Sequence, residues 1–202
     1  MKTKMKTKIK SSVKFLSLVV VLAMAFSCSN DDDSSTPTPT PTNLGEGSAI
    51  LDASSAQETY QTPNAYSFNL GSYSGATTTN FLLSFANGTS DGIYYSPNTT
   101  TVITFDINSE SSEKITAGTY VLDFSNLYNP LTFSTAYAHF NLEHQPDGSL
   151  TGGDRYDSAV SGSLTISYQG EIAHVEYELA FADGETLEGE YIGKIKQYAP
   201  ID

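Results

Sequence analysis

Four glutamates near the C-terminus combine residue type and spacing in a way that could support chemistry. Glu176 and Glu178 sit in HVEYELAF, and Glu188 and Glu190 sit in TLEGEYIG. A spacing of two places both members of a pair on one face of a β-strand. If the two strands are neighbours, their carboxylates stand about 5 Å apart, and such oxygens suit Ca²⁺. The same arrangement could provide the paired general acid and base that cleaves a glycosidic bond. It could equally be a solvated acidic face whose repulsion water and salt attenuate. A flat sheet face is poorly shaped to wrap six to eight ligands around an ion. The chain has no tryptophan to form a sugar platform.

Other candidates are scattered. His139 and His144 flank Glu143, but His139 falls on the polar side of its strand, where a surface role is the plainer reading. The stretch 147–157, DGSLTGGDRYD, holds three aspartates and three glycines without the spacing of a helix-loop-helix calcium site. Tyr94, Tyr95 and Tyr137 could stack on sugars if exposed. No nucleophile elbow, zinc-protease helix or phosphate loop occurs. Cys28 is the only cysteine, which excludes an internal disulfide and a cysteine-rich zinc site. Nothing cationic beside it would make it a reactive thiolate.

The elements that position these residues are strands. From about 49 to 198 the hydrophobic period is two: Tyr66/Phe68/Leu70, Phe81/Leu83/Phe85, Ile103/Phe105/Ile107, Gly118/Tyr120/Leu122/Phe124 and Ala136/Ala138/Phe140/Leu142. Glycine, asparagine, aspartate and serine punctuate the runs. This pattern predicts an all-β domain, an antiparallel β-sandwich or calycin-like barrel ending in a three-stranded meander, each sheet with one face in the core and one in water.

Register within the meander follows from the turns. A two-residue turn at Gln169-Gly170 pairs Ile166 with Ala173, Leu164 with Val175 and Gly162 with Tyr177. At Asp183-Gly184 a two-residue turn would set Leu179 against Glu188 and flip one strand. A three-residue loop, Ala182-Asp183-Gly184 with Gly184 left-handed, pairs Leu179 with Leu187, Tyr177 with Gly189 and Val175 with Tyr191. Tyr177 is then expected to cover the glycines on both neighbouring strands. The same register sets Glu178 opposite Glu188 and Glu176 opposite Glu190, with His174 at the end of the row. Like charges directly opposed are destabilising.

Charge divides the chain. Of its 202 residues, ten are Lys or Arg, and six of these precede residue 15. The four basic residues beyond Cys28, Lys114, Arg155, Lys194 and Lys196, stand against 23 acids, a formal charge of −19. Such a surface excludes nucleic acid and anionic bilayers as charge-driven partners. The lysine-rich start and the apolar run Phe15 to Phe26 have the form of a secretory signal, with Met1 and Met5 both opening an MKTK and either able to initiate.

Ala25-Phe26-Ser27-Cys28 resembles a bacterial lipobox, with small residues at −3 and −1. The resemblance implies that Cys28 receives a diacylglyceryl group, becomes the mature N-terminus and is acylated again. Several acyl chains anchor stably where a single one is marginal, at about 0.8 kcal/mol per buried CH₂. Ser29-Asn30-Asp31-Asp32-Asp33 is similar to the export signal that places lipoproteins of the Bacteroidota on the outer face of the outer membrane. Position +2 is Ser29, which does not suggest inner-membrane retention. The segment SSTPTPTPTNLGEGS, 34–48, favours polyproline II and would form a disordered tether on the order of 40–50 Å long.

The expected organisation is a signal peptide over 1–27, lipidated cysteine, export signal and linker over 28–48, and a β domain over 49–202. Ile115 to Tyr120, Ser161 to Ile166 and the closing Gly184 to Gly193 hairpin look like small β domains of Bacteroidota surface lipoproteins. The functional expectation is a non-enzymatic module on the cell exterior that binds a glycan, small molecule or protein. The alternative is a hydrolase using the paired glutamates.

Overall fold

The protein is described by a computed structural model that covers residues 44–53, 56–125, 127–145 and 149–199. Cys28 and the segment Ser29 to Asp33 lie outside the described residues, as do the residues before them. Among the described residues there is no helix. The fold begins with β1 (Gly45–Ala53), β2 (Ala56–Gln61), β3 (Asn64–Gly71), β4 (Thr79–Ala86) and β5 (Val102–Ser109). It continues through β6 (Gly118–Leu122), β7 (Thr132–Phe140), β8 (Glu143–His144), β9 (Leu150–Thr151) and β10 (Asp154–Tyr156). The last four strands are β11 (Ala159–Gln169), β12 (Ile172–Phe181), β13 (Thr186–Gly193) and β14 (Ile195–Tyr198). Gly45 to Ser48, assigned by composition to the linker, thus belong to the first strand.

The strands form one curled sheet in the order β14-β3-β4-β5-β7-β6-β11-β12-β13-β1-β2, with β10 also on β7 and β8-β9 as a separate hairpin. The all-β prediction holds, and β11-β12-β13 is the expected antiparallel meander. The sheet is mixed, however: β14 runs parallel to β3, and β6 parallel to β7. At one corner β2 runs into β3 and β13 into β14. Three backbone hydrogen bonds tie that corner: Gly45 N to Pro63 O at 3.0 Å, Thr62 N to Gly47 O at 2.8 Å and Lys194 N to Leu44 O at 3.1 Å.

Alternation fills the interior with rings from opposite sides of the curl. Phe85 on β4 lies 5.3 Å from the Tyr177 ring on β12 and 5.6 Å from Tyr191 on β13. Phe105 on β5 stands edge-on to Phe133 at 5.5 Å and to Tyr177 at 5.3 Å. Burial of such rings is the main stabilising term.

The expectation of one wet face per sheet fails for β3, β4 and β5, which are buried on both faces. Their outer face carries a second cluster of Tyr66, Ala86, Val102 and Leu142, covered by Tyr95, Leu150 and Tyr198. Tyr66 and Phe68 therefore point away from the main core, and Leu70 is 49% exposed. Ala65 is the apolar residue of that strand in the interior, with the buried Ser67 on the same face. The physical reason is volume: the large rings projecting inward elsewhere leave room beside β3 for small side chains. The Tyr66 hydroxyl donates to Gly88 O at 3.2 Å and accepts from Ser90 N at 3.0 Å, which pins the loop 87–101 over this outer face.

Register confirms one hairpin and corrects the other. In β12-β13, Leu179 pairs with Leu187, Tyr177 with Gly189 and Val175 with Tyr191. Phe181 N donates to Glu185 O, and Gly184 N to Phe181 O, with Gly184 at φ 93°, so the loop is the three-residue one. In β11-β12 the turn residues are Gly170-Glu171, not Gln169-Gly170. Ile166 pairs with Val175, Leu164 with Tyr177 and Gly162 with Leu179. Gly170 at φ 65° takes the first turn position, which suits a type II′ hairpin. The slip is of two residues in pairing, so every side chain keeps its face. Tyr177 consequently covers Gly189 but not Gly162, which lies against Leu179 and the Glu178 carbonyl.

Candidate functional site

The glutamate face is as its register requires. Glu176 pairs with Glu190 and Glu178 with Glu188 on the exposed side of β12 and β13. Thr165 and Ser163 flank the rows on β11, and Ser48 and Ile50 flank them on β1. No cation stands among these cross-strand neighbours. The Ser163 hydroxyl donates to Glu178 Oε1 at 3.3 Å. His174 pairs with Ser167 and Ile192, one step beyond the acids. The rows border a hollow of about 530 Å³, but its walls come from one sheet face, and its aromatic member, Tyr177, is 4% exposed and faces inward. Among the described residues, no three or more His, Cys, Asp or Glu side chains gather closely enough to hold a metal ion.

A second site lies on the outer face of β5, β7 and β10. Tyr137 stands opposite Thr104, and His139 opposite Val102. Arg155 on β10 pairs with His139 from the other side. Because outward residues alternate along β7, Tyr137 and His139 share a face, with ring centroids 5.0 Å apart. His139 Nε2 lies 2.8 Å from Asp157 Oδ1, the ring mostly covered and the carboxylate exposed. Arg155 donates from Nε to Gly152 O and from Nη2 to Leu150 O, both at 3.3 Å, which leaves Nη1 without a partner among the described residues.

Two loops flank it. Tyr95, from the loop 87–101, forms one wall, and burial pushes its hydroxyl up to about 12 while the Ser84 side chain pulls the other way. Leu142, just before β8, and Leu150 on β9 stand around Val102. His144 fastens the hairpin to the loop, its Nε2 3.1 Å from Tyr95 O and its Nδ1 3.1 Å from Gln145 O. The resulting groove has a volume of about 370 Å³, within the range of about 300–1,000 Å³ common for small-ligand pockets.

Of the residues singled out in sequence, the structure brings together Tyr95, Tyr137, His139 and Asp157. Tyr94 is exposed outside the groove, where its backbone N–H and that of Ile93 hold the Asp91 carboxyl below its usual range. His144 is a fastener, and Glu143 pairs with Thr151 across the small hairpin. The aspartates of 147–157 do not converge: Asp154 accepts from Asn141 at 2.9 Å, Asp157 faces His139, and Asp147 lies outside the described residues. Arg155 was missed as a site residue. The signal that could have found it is the pairing of DRYD with the polar side of β7. No protein-family model, curated protein or solved structure matches the chain.

Proposed function

We propose that this protein is a lipid-anchored binding module on the outer face of the bacterial outer membrane, and that it recognises an extracellular ligand without transforming it. The anchor rests on the sequence Ala25-Phe26-Ser27-Cys28 and the acids that follow. The observation that carries the binding reading is the groove, where Tyr137, His139, Arg155 and Asp157 surround an apolar floor of Val102, Leu142 and Leu150. A mostly apolar cleft with a few convergent polar groups is the usual form of a small-ligand site. The glutamate face, in this reading, is a solvated surface. The 34–44 segment would hold the domain clear of the headgroups, which repel its acids.

Protease added to intact cells tests display. The domain is expected to be cut from wild-type cells, and a Cys28→Ala form is expected to be released from the membrane fraction. A domain that stays uncut on intact cells, while disappearing after lysis in protease, would refute outward display. Release of reducing sugar from oligosaccharides, abolished by Glu178→Gln, would establish the hydrolase instead.

A further inference from the structure

We infer that the groove between β7, β10 and the loop 87–101 is a subsite for a neutral saccharide, with Tyr137 as the ring platform and Arg155 and Asp157 as the hydroxyl-reading pair. This rests on the binding reading above and adds the chemical class of the ligand. A sugar ring presents C–H groups on its faces and hydroxyls at its edge, each hydroxyl both donor and acceptor. The groove offers the complement. Tyr137, half-buried and braced by His139 at 5.0 Å, presents an aromatic surface above the floor of Val102, Leu142 and Leu150.

At the rim, donors and acceptors stand side by side. Among the described residues Arg155 Nη1 has no partner, while Nε and Nη2 are held by the Gly152 and Leu150 carbonyls. Those two hydrogen bonds also fix the guanidinium, so little freedom is lost on binding. The Asp157 carboxylate uses Oδ1 toward His139 and keeps its other oxygen as an acceptor.

Charge decides against an acidic sugar. At the rim the Asp157 charge offsets that of Arg155, so an incoming carboxylate gains no net local attraction while the chain from Cys28 onward, at −19, repels it from a distance. The polar rim decides against a purely apolar ligand, whose entry would strip water from Arg155 and Asp157 without replacing its hydrogen bonds.

The test is ligand-observed saturation-transfer NMR on the full chain in detergent micelles, with cellobiose, maltose, lactose and xylobiose as probes and glucuronic acid as the charged comparator. At least one neutral disaccharide is expected to show transfer. Arg155→Ala and Asp157→Asn, both at exposed positions, are each expected to weaken it about tenfold with an unchanged melting temperature. Glu178→Gln with Glu188→Gln is expected to leave it unaltered. The assignment is overturned if no neutral probe shows transfer, if neither groove variant weakens it, or if glucuronic acid binds more tightly than every disaccharide. Saccharide binding by a protein shielded from protease on intact cells would refute outward display and leave the groove assignment standing. Hydrolysis of a bound probe would refute the non-enzymatic reading alone.

Discussion

Tyr177 and Gly189 show how one residue's shape dictates another's absence. A Cβ built on Gly189 would lie 2.1 Å from Tyr177 Cζ, and the ring cannot yield because Phe85 and Phe105 pack against it. Gly189→Ala is expected to destabilise the fold by about 1–3 kcal/mol in chemical denaturation, the usual range for forced overpacking. The Tyr177 hydroxyl is buried and makes no geometrically formed hydrogen bond among the described residues, its one polar neighbour being the Thr62 side chain, itself buried and unpaired. Removing such a group relieves a desolvation cost, so Tyr177→Phe should leave stability unchanged or raise it. A loss with Tyr177→Phe would mean that the hydroxyl is satisfied in solution.

At the scale of the element, β12 and β13 carry two directly opposed glutamate pairs with Ser, Thr and Ile as their outer neighbours. Glu178→Gln combined with Glu188→Gln is expected to raise the melting temperature in low salt. The gain should shrink in 1 M NaCl, where the Debye length falls to about 3 Å. A lowered melting temperature at low salt would show that the carboxylates stabilise the face, as a bound cation would make them do, and an unchanged one would show that their repulsion costs nothing. The β12-β13 register was legible because only a three-residue loop kept Leu179, Tyr177 and Val175 on one face. The β11-β12 register was not, because Gln169-Gly170 and Gly170-Glu171 both preserve facing and differ only in where the left-handed glycine sits. Periodicity also could not say which side of β3 is the interior. Tyr66 and Phe68 are the larger residues, yet their side is the outer one, since rings from β12 and β13 occupy the space within.

For the whole molecule, folding removes many tyrosines from water and carries an alkaline signature. Burial pushes Tyr66, Tyr95 and Tyr168 each up to about 12, and pushes Tyr177 and Tyr191 higher. In the unfolded chain a tyrosine titrates near 10. Between these values the unfolded state has lost protons that the folded state keeps, so stability is intact below pH 10 and falls as pH rises toward 12. Denaturation midpoints followed from pH 9 to 12 should decline steeply above 10. A flat profile would show that these rings reach solvent. The groove belongs to this scale too: it draws on residues 95, 137–142 and 150–157, which only the curl of the sheet and the two overlying loops bring together. That is why single segments of sequence did not reveal it.

β1 leads into the domain at Gly45 and is clasped on both sides, pairing from Gly45 to Asp52 with β13 and from Ser48 to Ala53 with β2. With the proposed anchor at the N-terminal side, any load on the domain enters through this strand. A pull along β1 strains both ladders at once in shear, so their hydrogen bonds bear the force together and do not open one by one. Single-molecule pulling from Leu44 along the β1 axis should therefore meet a lower rupture force once β2 is deleted.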